Sequence, residues 1–137
     1  MPARDIFHNA VKNALQKEQW IITHDPLSLD IGGVEMYIDL GAEKLIAAEK
    51  DGEKIAVEIK SFLGGSAISE FHTALGQFMN YRLALMEEPD RILYLAVPSD
   101  TYKSFFNLQF IQLVIQQYQI KLMVYDYLNE VIVKWKN

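Results

Sequence analysis

Glu58-Ile59-Lys60 sets a carboxylate and an ammonium two positions apart. On a β-strand such a pair shares one face, with about 7 Å between the Cα atoms. The stretch that carries it, EKLIAAEKDGEKIAVEIKS from Glu43 to Ser61, reads as a hairpin turning at Asp51-Gly52, a dipeptide that tolerates the positive φ of a two-residue loop. In that register Lys50 faces Glu53, Leu45 faces Glu58 and Glu43 faces Lys60. Glu43 then lies on a strand about 5 Å away. Two carboxylates can hold a hard cation such as Mg²⁺ (or Mn²⁺), which accepts few protein ligands and keeps several waters. A lysine beside it can orient or deprotonate an attacking water and offset phosphate charge. The plainer alternative is a salt-bridged solvent face, since Glu-x-Lys triplets are common on strands.

The elements around the triplet decide whether such a site could be held together. One face of the hairpin carries Ile46, Ala48, Ile55, Val57 and Ile59 and reads as core. The other carries Leu45, Ala47 and Ala56 among its charges, too few apolar residues to predict a buried stripe. After Gly64-Gly65, Ser66 or Ser69 can cap a long helix to about Glu88, with Ile68, Phe71, Leu75, Phe78, Met79, Leu83, Leu85 and Met86 on its buried side. Gln77 and Tyr81 are four apart on that helix and share a face; Gln77 could reach the carboxylates if the helix packs over the hairpin. Asp39 has the same strand parity as Glu43 but sits about 13 Å earlier along an ideal strand, so it joins Glu58 only if the chain kinks near Gly41. On geometry Glu43 is the better second ligand.

The rest of the chain gives the frame. Asp5 can cap a helix to about Glu18 with Ile6, Phe7, Ala10, Val11, Ala14 and Leu15 buried. Trp20 to Thr23 is a short strand, 27–33 a loop or irregular strand, and Val34 to Leu40 a strand leading into the hairpin. Arg91 to Val97 is apolar enough for a central strand. A helix follows from Pro98 to about Tyr118, then strands Ile120–Asp126 and Glu130–Lys136. The order α-β-β-β-β-α-β-α-β-β predicts one α/β (α+β) domain over 1–137, a mixed β-sheet flanked by helices.

Composition limits the function. The 137 residues contain no cysteine, which removes disulfides and thiolate sites and fits an intracellular, cytoplasmic setting. No apolar run reaches the ~18–20 residues of a membrane span. A net charge of −5 argues against tight unassisted binding to DNA, where phosphate contacts need Lys and Arg. It leaves room for weak DNA binding with acids gathered at a metal. No P-loop or G-x-S-x-G pattern is present. Eight large apolar residues between Phe105 and Ile115, Phe106 and Phe110 among them, exceed what one amphipathic stripe buries. They predict an association surface, either for a homo-oligomer or for a partner.

An acid, a hairpin, Glu58-x-Lys60 and a helix with Gln77-x-x-x-Tyr81 together resemble the PD-(D/E)xK nuclease superfamily from His8 to about Val97. The resemblance implies a restriction-endonuclease-like core and a metal-dependent site. In it Asp39 or Glu43 and then Glu58 bind metal, Lys60 is catalytic and Gln77 orients the site. His8 stands where a first-helix acid would fall, and no Pro-Asp pair precedes Leu45. Over nearly the whole chain MPARDIF, ITHDPL, YIDLGAEKLIAAEK, KIAVEIKSFLG, ALGQF and YLAVP resemble the cyanobacterial XisH family, named as fdxN element excision controlling factors. That resemblance implies a role in programmed excision of a DNA element beside a recombinase and a small partner, XisI. It implies two alternatives: an endonuclease-like domain, or a non-catalytic regulatory module that keeps the fold as a scaffold.

Overall fold

Asp51 and Gly52 both take positive φ, 51° and 82°, as a type I′ hairpin turn requires. The turn joins β4 (Leu45–Lys50) to β5 (Glu53–Ile59) with Lys50 opposite Glu53 and Leu45 opposite Glu58, the register read from the sequence. The computed structural model describes residues 3–36 and 45–137; the expected pairing of Glu43 with Lys60 lies outside them.

On its other edge β5 pairs in parallel with β6 (Arg91–Pro98), Glu58 opposite Leu95. A parallel pair needs a crossover, supplied by α2 (Ala67–Ala84) and a 3₁₀ turn (Leu85–Glu87). A second crossover, through α3 (Ser99–Ser104) and α4 (Gln109–Gln117), leads to β7 (Leu122–Asp126), parallel to β6. β8 (Val131–Lys136) returns antiparallel to β7, and β1 (Ile21–His24) pairs antiparallel with β4. The result is a mixed six-stranded sheet in the order β1-β4-β5-β6-β7-β8, flanked by helices. β2 (Leu29–Ile31) and β3 (Val34–Met36) form a separate two-stranded sheet.

Two apolar layers enclose the sheet. On one face Phe7, Val11 and Leu15 of α1 (Ala3–Lys17) pack on Ile46, Ala48, Ile55, Val57, Ile59, Met123 and Tyr125. On the other, Phe71 and Phe78 of α2 with Phe106, Ile111 and Ile115 cover Ala47, Ala56, Leu93 and Leu95. This corrects the expectation that the second hairpin face buries no apolar stripe. Ala47 and Ala56 are fully buried, and their small side chains let the α2 layer come close.

Three other expectations change. The buried side of α2 is Phe71, Ala74, Phe78, Tyr81 and Ala84, while Ile68, Met79, Leu83 and Met86 are exposed. Phe71 and Phe78 are buried as expected, but the other positions of that face, i+3, i+10 and i+13 from Phe71, are Ala74, Tyr81 and Ala84, which a search for large aliphatics passes over. Ile6 is exposed on α1 for the same reason of phase. The single helix expected from Pro98 to Tyr118 is two. Asn107 Nδ2 donates to the Lys103 carbonyl at 2.9 Å and closes α3, and extended Leu108 (φ −66°, ψ 140°) starts α4 afresh. Phe105 and Phe106 turn inward at that break. Among the described residues no helix is long and apolar enough to cross a membrane.

The break separates two phenylalanines of opposite environment. Phe106 is 0% exposed and Phe110 is 64% exposed. Phe106→Ala is expected to lower unfolding free energy by about 3–5 kcal/mol, whereas Phe110→Ala should stay within about 0.5 kcal/mol; urea denaturation of both variants measures the contrast.

Candidate functional site

Because Val57 and Ile59 face α1, alternation turns Glu58 to the α2 face beside Ala56. Glu58 is 0% exposed and Lys60 is buried. The chain keeps its ladder beyond β5, since Lys60 N–H donates to the Ala96 carbonyl at 3.0 Å. From the next strand but one, Tyr125 O–H donates to the Lys60 carbonyl at 2.9 Å. Lys60 Nζ then lies 3.9 Å from Glu58 Oε2. At that separation the attraction is about 4 kcal/mol at an effective dielectric near 20. Desolvating each ion costs several kcal/mol, so the pair is a poor device for stability, and its place in the sheet calls for another reason.

α2 supplies the cover. Tyr81 is buried, and its phenol is pushed up to about 12, first by that burial and second by the negative charge of Glu58. The phenol therefore stays protonated, able to donate a hydrogen bond at neutral pH. Gln77, one turn earlier on the same helix face, holds a buried Oε1 with no hydrogen-bond partner among the described residues. Just past Lys60 and Ser61 the bulky Phe62 takes φ 55°, a left-handed conformation costing about 1–3 kcal/mol. Its ring meets Phe106 edge-on at 5.6 Å between centroids, contact that helps hold the chain in that bend.

The expected residues divide into two groups. Glu58 and Lys60 come together, and Gln77 lies on the helix whose Tyr81 senses Glu58. Asp39 and Glu43 lie outside the described residues. Among the described residues no three His, Cys, Asp or Glu side chains gather as metal ligands. His8 belongs to a different cluster. Its Nε2 lies 3.1 Å from Asp25, and Lys12 Nζ lies 2.8 Å from the same carboxylate. Burial alone would raise the Asp25 carboxyl, but the hydrogen bonds and charges of Lys12 and His8 outweigh it and hold it below its usual range. Sequence reasoning missed Asp25 because seventeen residues separate it from His8. It missed Tyr125 because only the parallel β6–β7 pairing brings that hydroxyl to Lys60.

The family model described as XisH protein matches residues 1–133. The chain belongs to the XisH family. Two solved structures agree. An XisH family protein from Nostoc punctiforme PCC 73102 is 57% identical, with a TM-score of 0.90 over 97% of this chain and 100% of that one. A fdxN element excision controlling factor protein from Anabaena variabilis is 58% identical, with a TM-score of 0.90 over 97% of this chain and 99% of that one. No curated protein matches.

In this XisH chain the Tyr81–Glu58 coupling can be measured. Folded Tyr81 keeps its proton until about pH 12, while an unfolded tyrosine loses it near 10. Its contribution to stability is complete below pH 10 and lost as pH rises toward 12. Glu58→Gln should lower the Tyr81 pKa by only part of the shift, because burial, the larger cause, remains. Spectrophotometric titration against a Tyr81→Phe reference reads this; an unchanged curve in Glu58→Gln would separate the two groups.

Proposed function

We propose that this XisH chain acts on DNA in the programmed excision of a DNA element, through an endonuclease-like centre built on Glu58 and Lys60. The observation that carries the reading is the buried Glu58–Lys60 pair at the end of β5, beneath α2 with Gln77 and Tyr81. The name of the Anabaena variabilis relative, a fdxN element excision controlling factor at 58% identity, supports the biological setting. The restriction-endonuclease-like core implied by the resemblance accords with a mixed sheet whose hairpin strand carries the pair.

The donors suit a hard cation, Mg²⁺ or Mn²⁺. Glu58 offers carboxylate oxygens and Gln77 an Oε1 without a hydrogen-bond partner among the described residues; Asp39 or Glu43 would complete the set. Bound there, the ion would polarise the scissile phosphate and acidify a water. The protein's own part is positional. Lys60 places its ammonium toward the phosphate and orients the attacking water. Gln77 accepts from or orients that water, and neutral Tyr81 donates to the Glu58 carboxylate or to the departing oxygen. The backbone anchors from Ala96 and Tyr125 fix Lys60 to the sheet.

With Mg²⁺ or Mn²⁺, linear or branched DNA should be cleaved, with or without the XisI-like partner, and Glu58→Gln or Lys60→Gln should lower the rate about 10²–10⁴-fold. A second reading has its own observation: Glu58 exposes no surface, which favours a regulatory module in which the pair only shapes the fold. Absence of cleavage under every condition, with DNA or partner binding kept in Glu58→Gln, would select it.

Association is part of the same proposal. Leu108, Phe110 and Leu113 remain exposed on and just before α4, and they support self-association as a homo-oligomer or docking of the XisI-like partner. Phe106 is buried and belongs to the core instead of this surface, so a glutamate there would unfold the protein. Phe110→Glu is expected to give a folded monomer in sedimentation; an unaltered assembly would exclude this surface.

A further inference from the structure

α1 ends at Lys17, and the sheet face it covers continues beyond it toward the Asp51-Gly52 turn. There a cavity of about 630 Å³ opens between Glu18, that turn, the start of β6 and the end of β8. The volume lies in the range of small-ligand clefts. Strand alternation assigns its walls. Trp20, Ile55, Tyr94 and Trp135 belong to the apolar layer on the α1 face. Lys54 touches the cavity, but alternation with Ile55 turns its side chain to the α2 face, the side of Ala56. Glu58 is on that opposite face as well, so the sheet separates the cavity from the Glu58–Lys60 centre.

The inner wall is aromatic. Trp20 and Trp135 come from opposite edges of the sheet, and their rings meet at 5.9 Å between centroids. Tyr94 meets Trp135 edge-on at 4.9 Å. Trp20 and Tyr94 are largely buried and Trp135 is half-buried. The face of an aromatic ring is the negative end of its quadrupole and attracts a cation within about 6 Å. One cation already takes such a place, since Lys50 Nζ lies 5.8 Å from the Trp20 ring centroid.

The rim is acidic, with Glu18, Glu53 and Asp90 around the opening. Glu18 is held beside the aromatic wall, because Trp135 Nε1 donates to its Oε1 at 3.3 Å. That bond takes one of about four lone-pair sites on a carboxylate. Glu53 shares the α1 face with Ile55 by alternation, and its charge is felt at Tyr94. Burial first and the Glu53 charge second raise that phenol above its ordinary range. Among the described residues neither Glu53 nor Asp90 has an ion-pair partner. Three carboxylates thus stand around the cavity against one ammonium, that of Lys50. Aromatic rings beside an excess of carboxylate select a positive charge that also carries apolar surface.

We propose that this cleft binds an organic cation, an ammonium or guanidinium on an alkyl chain, against the tryptophan wall and among the three carboxylates. A free polyamine and the lysine or arginine side chain of a basic peptide share that chemistry. The cleft shares no residue with the endonuclease-like centre, and the two stand or fall separately.

The chain has two tryptophans, and both line the cleft, so intrinsic fluorescence of the full chain reports its occupation. The probes are spermidine and an end-capped four-lysine peptide, with sodium chloride at matched ionic strength as the control. Either probe should give a saturable change in emission that the salt does not reproduce. Glu53→Gln with Asp90→Asn, both exposed positions, should weaken binding about tenfold or more. Lys50→Gln removes the internal competitor and should tighten it several-fold, an effect that a purely structural role of these residues would not produce. Tighter binding of spermidine identifies a polyamine site; equal or tighter binding of the peptide identifies a protein side chain. No saturable response, a response matched by salt, or affinities unmoved in the variants would overturn the proposal.

Discussion

The parallel pairing of β5 with β6 is the constraint on which the rest of the molecule depends. It forces a crossover, and the crossover places α2 over one face of the strand whose other face already lies on α1. β5 thereby loses its solvent side: every residue from Ile55 to Ile59 is buried. A charge written into such a strand has to be accommodated inside the protein. The alternating hairpin of Ile55, Val57 and Ile59 against Ala56 and Glu58 thus becomes a boundary between an apolar layer and a layer with polar chemistry at one end.

That boundary explains why Glu58 and Lys60 sit where they do energetically. A well-packed hydrophobic pair of similar volume would often be neutral or better for stability, and nothing in the sheet geometry asks for a carboxylate opposite Leu95. The surroundings nevertheless maintain the pair. Tyr125 spans from β7 to fix the Lys60 backbone, α2 lays a phenol near the carboxylate, and the strained turn at Phe62 is packed against Phe106. A fold that accepts costs of this kind at one strand end departs from best stability there.

Much of this was legible from the residues alone. The Asp51-Gly52 turn fixed the hairpin register residue for residue, because a two-residue loop leaves no freedom in pairing. The apolar run from Arg91 announced a central strand. The parity of Glu58 and Lys60 followed from strand alternation. What could not be read was which helix face points inward when alanine carries the packing. Ala47, Ala56, Ala74 and Ala84 mark where backbones approach, a property of the neighbour and not of the residue. The break at Asn107 was hidden because Phe105–Ile115 is apolar throughout, so two short helices and one long one share a pattern. The His8–Asp25–Lys12 cluster was invisible because it depends on how α1 lies on β1, and Asp39 and Glu43 lie outside the described residues.

The first helix lies along the last strand. Asn13 Nδ2 donates to Glu130, Lys17 Nζ to the Asn129 carbonyl, and Trp135 Nε1 to Glu18, across sequence separations of 117, 112 and 117 residues. Contacts of that span raise the loop-closure entropy that folding must overcome before they stabilise anything. The α1 layer therefore cannot be finished on a growing chain until β8 has been synthesised. Until then the β7 edge has no partner strand, and Ile132 and Trp135 are missing from the apolar layer under α1. Fraying of β8 in the finished molecule would likewise loosen α1 and the layer beneath β5, which ties the two ends of the chain into one cooperative unit.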